Sequence, residues 1–447
     1  MYTGKIHTRS FTGYFRRLRF FGGVILFALY FGTAWLTWGG RQAVLWDLSE
    51  KKFHIFASTF WPQDLVLLSG ILIICAFGLF FLTVLAGRVW CGYTCPQSVW
   101  MWIFMWAEKV TEGDRNQRIK LDKAPMSANK LIRRISKHAL WLLISLATAI
   151  TFVGYFTPIR ELVSSILTMN VGGWALFWTF FFTAATYINA GWLREKVCLH
   201  MCPYGRFQSS MLDADSLVIT YDTERGESRG SRKKGADYKS EGLGDCIDCQ
   251  MCVQVCPTGI DIRDGLQMEC IGCAACVDAC DSVMDLMNYD KGLIRYTSDR
   301  ELNGGRLRIL RPRLVGYSFV LLAMIAVFSW TMVSRPLVTL DIAKDRGLYR
   351  YNSDGHIENS YVLKITNKNQ KVQSYAIRVS GLEGLQLSHT GTVTVNSGEM
   401  VEVPVSVSVN PESLLGDVSD IRFHVSAVDS PAFKLVEGSK FTGSVSL

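Results

Sequence analysis

The sequence lacks charge over five long stretches. No Asp, Glu, Lys or Arg lies inside them, and each is close to the roughly 20 residues with which a helix crosses a bilayer. Such uniform apolarity excludes ordinary core helices, which show one polar face, and it predicts five transmembrane helices. The five stretches are 20–38, 65–86, 139–157, 171–193 and 314–333.

Cysteine is absent after Cys280, although the chain has 13 cysteines. Eight of them lie between Cys246 and Cys280, four lie in two CxxxCP motifs, and Cys75 lies inside an apolar stretch. This clustering argues against a disulfide scaffold. Closely spaced free thiolates belong in a reducing compartment, so we expect the segment Cys246–Cys280 to face the cytosol.

Acidic residues are missing from the N-terminal tail, which has five Lys and Arg residues before the first apolar stretch. Segment 87–138 adds ten basic and four acidic residues, so the net charge of +8 is concentrated beside the predicted membrane helices. This distribution favours the lipid bilayer over nucleic acid as a partner. Because basic loops stay cytoplasmic, we expect the N-terminus to lie in the cytosol. Alternation of the five helices then puts 194–313 in the cytosol and 334–447 on the other side of the membrane.

The segment Cys246–Cys280 has two runs of four cysteines with the same x2, x2, x3 spacing. This spacing is typical of [4Fe–4S] clusters in two-cluster ferredoxins, where the fourth cysteine of each run binds the other cluster. A pair of structural zinc sites is the alternative, but zinc motifs usually leave a long gap between two CxxC halves. The predicted ligand sets are Cys246, Cys249, Cys252 and Cys280 for one cluster, and Cys270, Cys273, Cys276 and Cys256 for the other.

Two CxxxCP motifs follow the second and fourth apolar stretches, so the chain contains two similar helical hairpins. Proline favours the first position of a helix, which predicts Cys95 and Cys202 at helix N-caps, where thiolates are stabilised and the thiol pKa is lowered. The earlier cysteine of each motif would complete a soft two-sulfur site, and thiolates prefer Cu(I). The candidate copper ligands or redox thiols are Cys91, Cys95, Cys198 and Cys202, with His200 and Met201 as further copper-ligand candidates.

Other interpretations of the CxxxCP cysteines stay open on the residues alone. The two pairs could cycle between dithiol and disulfide. All four cysteines could bind one further iron–sulfur cluster or a structural zinc ion. They could also be small apolar residues that pack at helix ends.

The chain after residue 334 alternates apolar and polar residues in about seven short segments, which predicts an immunoglobulin-like β-sandwich that binds a partner. His356, His389 and His424 are interpreted as strand or surface residues. Segment 222–245 has almost no aliphatic residues and is predicted to be a mobile linker or a loop that partners order.

The predicted fold class is a multi-domain membrane protein with five transmembrane helices. Its cytosolic domain is an α+β domain like a bacterial ferredoxin with two [4Fe–4S] clusters, and its last domain is an immunoglobulin-like sandwich. The predicted boundaries are 1–193 for the four-helix membrane domain, 194–313 for the ferredoxin-like domain, 314–333 for the fifth helix and 334–447 for the sandwich.

This combination resembles the CcoG/FixG/RdxA family, and VWCGYTCPQSVW, VCLHMCPYGRFQ and YDTERGESRGSRKKG carry the resemblance most specifically. The resemblance implies an oxidoreductase, a cupric reductase that turns Cu(II) into Cu(I) for assembly of cbb3-type cytochrome c oxidase. It implies a Gram-negative inner membrane, a periplasmic C-terminal domain, and oxidase assembly factors and a copper chaperone or transporter as partners. A cytosolic electron donor and a homodimer are further expected associations.

Two other functions share some of these features. One is a quinol-oxidising, ferredoxin-type electron-transfer subunit that feeds a periplasmic reductase, which would share the CxxxCP motifs but not the sandwich. The other is an assembly scaffold whose clusters stabilise the fold or sense oxygen.

Overall fold

The computed structural model describes residues 6–347, 349–369, 371–388, 391–414, 416–428 and 434–444, without the side chains of Gln63 and Arg206. The chain forms two compact units. The first comprises Met1–Leu48 and Leu65–Phe328, and the second comprises Ser49–Asp64 and Ser329–Leu447.

The α-helices are α1 Tyr14–Thr33, α2 Leu65–Ala86, α3 Val89–Tyr93, α4 Pro96–Glu112, α5 Arg115–Lys123, α6 Ala128–Val153, α7 Ile159–Leu167, α8 Gly173–Thr186, α9 Pro203–Met211, α10 Thr223–Gly226, α11 Met251–Gln254, α12 Ala275–Met287, α13 Asp299–Leu302 and α14 Pro312–Val333. The strands are β1 Thr37–Trp38, β2 Arg41–Gln42, β3 Val44–Asp47, β4 Lys52–Ile55, β5 Ser58–Phe60, β6 Val218–Tyr221, β7 Ile294–Thr297, β8 Val338–Lys344, β9 Arg350–Tyr351, β10 Ile357–Asn367, β11 Gln373–Ser380, β12 Gln386–Leu387, β13 Thr392–Val395, β14 Met400–Val409, β15 Val418–Ala427 and β16 Lys434–Thr442. Two π-helical segments are Tyr187–Leu193 and Val197–Met201, and the 3₁₀ turns are Pro62–Asp64, Ile262–Asp264 and Pro411–Ser413.

Three helices among the described residues, α2, α6 and α14, are each long and apolar enough to cross a membrane. They contain most of the apolar stretches 65–86, 139–157 and 314–333. The other two stretches, 20–38 and 171–193, are helical over most of their length, but neither forms one uninterrupted apolar α-helix of that length.

Helix α1 begins before its apolar stretch because a distant carboxylate caps it. The side chain of Asp278, on α12, accepts hydrogen bonds from the backbone N–H groups of Phe15 and Arg16 at 3.1 and 2.7 Å. The first N–H groups of a helix have no partner within the helix, so Asp278 satisfies two of them. The cap also fixes the start of α1 against the ferredoxin-like part of the unit.

Helix α1 ends at Thr33, so the helical prediction for 34–38 is wrong. The chain turns back in the small β1–β2 hairpin, whose turn is Gly39–Gly40. Their φ angles are +58° and +82°, a conformation that glycine adopts readily and that fits a tight hairpin. The two adjacent glycines were the signal for this turn.

The stretch 171–193 continues helix α8 as the π-helical segment Tyr187–Leu193. A Cβ atom on Gly191 would lie 3.0 Å from the ring of Trp141 on α6, so glycine allows a close approach there. Trp141 in turn donates its indole N–H to the carbonyl of Phe104 on α4 at 3.1 Å. These contacts pack α4, α6 and the π-helical segment together.

The ferredoxin-like part contains the antiparallel pair β6–β7 and helices α11 and α12. Its two cysteine runs have the same backbone shape, because the residues on both sides of the second cysteine have positive φ. These are Asp248 (52°) and Gln250 (55°) in the first run, and Gly272 (64°) and Ala274 (55°) in the second. Three of the four are not glycine, so the sequence alone did not indicate this conformation.

The prediction of a mobile linker over 222–245 is wrong, because its arginines hold it to neighbouring chain. Arg225 donates to the backbone carbonyl of Lys291 at 2.9 Å. Arg232 donates to the hydroxyl of Tyr289 at 3.0 Å. The segment is polar because hydrogen bonds and ion pairs, rather than an apolar core, hold it in place.

The second unit contains two antiparallel sheets, in the strand orders β12-β14-β10-β8, with β9 beside β10, and β13-β11-β15-β16. Alternate residues of both sheets form one apolar core. Within it, Tyr361 of β10 and Phe423 of β15 pack edge to face, with ring centroids 5.2 Å apart. The predicted sandwich is confirmed, and its described residues form nine strands rather than about seven.

The histidines of this unit fit their interpretation as strand or surface residues where the structure describes them. His424 lies on β15 and its Nε2 lies 2.6 Å from the hydroxyl of Ser380 on β11. His356 immediately precedes β10. His389 lies outside the described residues.

Candidate metal centre

Two cavities of about 340 Å³ each lie among the eight cysteines of the ferredoxin-like part. Each contains one complete ligand set of the crossed pairing, and Cys252 lines both. The first is lined by Cys256, Cys270, Cys273 and Cys276. The second is lined by Cys246, Cys249, Cys252 and Cys280.

The lining of these cavities fits iron–sulfur clusters. Their other walls are mostly apolar, for example Ile271 in the first and Leu293 in the second. Burial raises the pKa of the Cys252 and Cys270 thiols to about 12, so they stay protonated unless a metal replaces the proton. The ligand assignment itself remains a prediction that these cavities support.

Within the described residues, no three or more His, Cys, Asp or Glu side chains lie close enough to hold one metal ion. A mononuclear zinc site needs four ligands around one centre. The CxxxCP cysteines also form no such group of three or more side chains. This is consistent with a site of two sulfurs and does not support a zinc ion bound by all four of these cysteines.

The predicted N-caps of the two CxxxCP motifs are confirmed. Helices α4 and α9 begin with proline, and Cys95 and Cys202 occupy the positions just before them. In each motif the backbone N–H of the second cysteine donates at 2.9 Å to the carbonyl five residues earlier, which belongs to Trp90 or Val197. The two motifs therefore repeat each other in backbone geometry as well as in sequence.

Each motif helix is hydrogen-bonded to the end of the other hairpin. Gln97 of α4 donates to the carbonyls of Asn189 and Arg194, both at 3.1 Å. Gln208 of α9 donates to the carbonyl of Gly87 at 3.0 Å. This exchange joins the two hairpins and brings their cysteines to one place.

The first cysteine of each motif is in a mostly buried setting. Burial raises the pKa of Cys91 to about 12 and that of Cys198 to about 11, and repulsion from the nearby Cys95 adds to both shifts. The thiol of Cys91 donates to the side-chain oxygen of Gln208 at 3.9 Å. In the metal-free chain these two thiols therefore hold their protons at neutral pH and would release them to a metal.

The two other copper-ligand candidates lie at the mouth of this site. His200 and Met201 line a cavity of about 780 Å³ together with Cys202. The side chain of Met201 is 63% exposed. The second motif is therefore open on the side of these two residues.

The first CxxxCP motif touches the second cysteine run. A Cβ atom on Gly92 would lie 2.6 Å from the carbonyl oxygen of Gly272 and 3.0 Å from Cα of Cys273, so only glycine allows this contact. Arg88 donates to the carbonyl of Cys270 at 2.9 Å and to α9 at 3.0 Å. The thiol site and one cluster cavity therefore share a backbone interface.

Sequence reasoning missed Gly92, Arg88 and Gln208. Gly92 could have been noticed as a glycine inside a metal-binding motif. Arg88 and Gln208 are polar residues within a few positions of the cysteines, but their partners lie more than 100 residues away along the chain. The pattern of neighbouring residues in a sequence does not predict contacts between positions so far apart.

Two family models match parts of the chain. One is described as "4Fe-4S dicluster domain" and covers residues 193–299, and the other is described as "IG-like fold at C-terminal of FixG" and covers residues 328–444. The chain therefore carries a ferredoxin-type iron–sulfur domain and an immunoglobulin-like domain.

Three relatives match over most of their lengths. "Nitrogen fixation protein FixG" of Rhizobium meliloti (strain 1021) is 36% identical over 92% of this chain and 84% of its own. "Protein RdxA" of Cereibacter sphaeroides is 34% identical over 95% and 94%, and "Protein RdxB" of the same organism is 37% identical over 88% and 86%. The similarity thus extends over both units.

Proposed function

Because the chain belongs to the FixG/RdxA family of iron–sulfur redox proteins, we propose that it is a membrane-bound electron-transfer protein that reduces Cu(II) to Cu(I). The Cu(I) serves assembly of a cbb3-type cytochrome c oxidase, with oxidase assembly factors and a copper chaperone or transporter as partners. One observation carries the copper assignment: the contact of Gly92 with Gly272 and Cys273 puts a soft thiol site directly against a cluster cavity.

The proposed arrangement places the protein in the inner membrane. The helical parts of the stretches 20–38 and 171–193, which are the end of α1 and α8 with its π-helical continuation, join the three long apolar helices as spans, which makes five. The excess of Lys and Arg before the first span and in 87–138 favours these segments on the cytosolic side. By alternation, the cysteine runs lie in the cytosol and 334–447 lies in the periplasm.

The residues of the chain have separate parts in this reaction. When bound, the two [4Fe–4S] clusters supply one-electron transfer. The CxxxCP thiols hold copper, and Cys91 and Cys198 release their protons as they bind it. Thiolates prefer Cu(I) to Cu(II), so this ligand set favours the product of Cu(II) + e⁻ → Cu(I). Gly92 keeps the thiol loop in contact with the loop of Cys273.

The C-terminal domain supports this function over the quinol-oxidising alternative. The sandwich is expected in the family of cupric reductases and not in the membrane ferredoxins that feed periplasmic reductases. It matches the model described for FixG over 328–444.

The test is Cu(II) reduction by the full-length protein, reduced anaerobically and freed of excess reductant. Cu(I) is followed with a chromogenic Cu(I) chelator. A variant with Ser at Cys91, Cys95, Cys198 and Cys202 is expected to lose at least about tenfold in rate, because metal-site changes commonly cost 10–100-fold, and to keep its iron and sulfide. Cys75→Ser is the matched control and keeps both. An unchanged rate in the four-serine variant, with intact iron, contradicts the proposal.

A further inference from the structure

A cavity of about 1,210 Å³ lies between the segment before α1, helix α1 and helix α4, and it is lined by none of the 13 cysteines although Gly92 of the first CxxxCP motif borders it. One part of its wall is strongly basic. Among its described lining residues Asp114 is the single acid, and that carboxylate already accepts hydrogen bonds from Ser10 at 2.8 and 3.0 Å. The basic lining residues are Arg9, Arg16, Arg19, Lys109 and Arg118.

Arg19 is the central cation of this cavity, and its hydrogen bonding is incomplete. The residue is only 8% exposed. Its Nη2 donates to the carbonyl of Cys273 at 2.8 Å, and its guanidinium lies 4.2 Å from the ring centre of Trp102. Among the described residues, its Nε and Nη1 have no hydrogen-bond partner, although both atoms are buried. Unsatisfied buried donors on a charged group are costly, and no acceptor among the described residues offsets this cost for Arg19.

The rest of the cavity wall is apolar and continues along α1. Phe20 and Val24 follow Arg19 on the helix and are 66% and 50% exposed. Phe27 and Trp106 extend the same wall. A Cβ atom on Gly23 would meet nothing within 4 Å, so the glycine leaves an open slot between these side chains.

The cations lie at the start of a predicted membrane helix, and the apolar slot lies beyond them along the helix. A phospholipid has the same order of groups, with a charged headgroup followed by acyl chains. Basic pockets between membrane helices on the cytoplasmic side suit anionic headgroups, and guanidinium groups bind phosphate oxygens through charge-assisted hydrogen bonds. Free phosphate would use only the basic part of the wall and leave the apolar slot without a ligand.

We propose that this cavity binds an anionic phospholipid of the cytoplasmic leaflet. The phosphate of the headgroup pairs with the cationic side chains of the basic wall, Arg19 among them, and one acyl chain lies in the slot beside Gly23. The inference rests on the proposed topology, which puts the start of α1 on the cytosolic side, and does not depend on copper reduction. Arg19 also holds the carbonyl of Cys273, so the lipid site and the second cysteine run share one side chain.

The first test compares two charge-neutralising variants on the same helix. The full-length protein is reconstituted in nanodiscs of phosphatidylcholine with a minority of phosphatidylglycerol, released into the gas phase and analysed by native mass spectrometry. Arg19→Gln is expected to lower retention of phosphatidylglycerol about tenfold, as loss of charge-assisted hydrogen bonds predicts. Arg17→Gln removes the same charge at an exposed position outside the cavity and is expected to leave retention unchanged.

The second pair of variants tests the slot without removing a charge. A Cβ atom on either Gly22 or Gly23 has open space around it, so leucine is tolerated at both, but only Gly23 lines the cavity. Gly23→Leu is expected to lower phosphatidylglycerol retention by a similar factor, and Gly22→Leu is expected to leave it unchanged.

Three results would overturn the lipid assignment. Equal retention of phosphatidylglycerol by Arg19→Gln and Arg17→Gln would show that general surface charge, and not this cavity, holds the lipid. Full displacement by inorganic phosphate, without any effect of Gly23→Leu, assigns the cavity to free phosphate. If a quinone co-purifies with the wild-type protein instead of the phospholipid, and Arg19→Gln loses this quinone, the cavity belongs to a different class of ligand.

Discussion

The two groups of cysteines in the first unit are built for different occupants. The eight cysteines of the ferredoxin-like part line two small cavities with mostly apolar walls. Both groups include partly exposed cysteines, but the surroundings of the CxxxCP cysteines differ: Cys91 bonds to the polar side chain of Gln208, and Cys202 borders a cavity more than twice as large. Closed sites suit resident cofactors, and sites with an open position suit ions that enter and leave.

Both groups arise from duplicated motifs, but the duplication joins them in different ways. The two cysteine runs exchange a ligand, since Cys256 and Cys280 each line the cavity of the other run. The two hairpins exchange hydrogen bonds instead, through Gln97 and Gln208. The first arrangement encloses a group between the repeats, and the second leaves the thiols at a shared surface.

The largest effect is expected from loss of a cluster cysteine. Cys276→Ser removes one thiolate from the first cavity, so the protein should lose one cluster and about half of its iron. Iron and sulfide analysis of anaerobically purified protein measures this loss. Cys75→Ser should keep the full iron content. Full iron in Cys276→Ser would contradict the assignment of this residue and break the comparison between closed and open sites.

A smaller effect is expected from separating the two groups. Gly92→Val puts a side chain where a Cβ would lie 2.6 Å from the carbonyl of Gly272, so the thiol loop must move away from the cysteine run. Small displacements at reacting groups can cost up to 100-fold, and we expect Cu(II) reduction to slow between about 10- and 100-fold with copper binding retained. Gly78→Val, where the Cβ has open space, is the control. Wild-type rates in Gly92→Val would show that the contact is irrelevant.

The smallest effect concerns pH and the first cysteine of each motif. Thiolates react with iodoacetamide and thiols do not, and the raised pKa values of about 12 and about 11 keep Cys91 and Cys198 protonated at neutral pH. In copper-free protein, their alkylation should accelerate about tenfold per pH unit between pH 7 and 9, since the thiolate fraction rises by that factor below the pKa. Mass spectrometry measures each site, with unfolded protein as reference. A plateau below pH 9 would mean that these thiols are not shielded.

The sequence predicted those features that depend on spacing along the chain. The crossed cysteine sets, the N-caps at Cys95 and Cys202, and the sandwich all follow from short-range pattern, and the structure has cavities, caps and sheets where they were expected. Local periodicity and turn chemistry are sufficient for such features because neighbouring residues determine them.

The contacts that make the candidate site depend on distant residues instead. Asp278 caps α1 across more than 260 positions, and Arg19 reaches Cys273 across 254. A Cβ atom on Gly92 would meet the backbone of Gly272, and a Cβ atom on Gly272 would lie 3.0 Å from Arg88, yet neither glycine shows this in its own sequence neighbourhood. Tertiary packing determines these contacts, so a single sequence without the fold did not predict them.

The central claim is that copper at the CxxxCP thiols receives its electron from the iron–sulfur clusters that the adjacent cysteine runs would hold. The most direct measurement mixes anaerobically reduced protein, freed of excess reductant, with Cu(II) and follows the reduced-cluster EPR signal in a single turnover. The account predicts that this signal disappears with one electron per copper, and that the variant with Ser at Cys91, Cys95, Cys198 and Cys202 retains it. A signal that persists in the wild-type protein while Cu(II) is bound at these thiols would contradict the account.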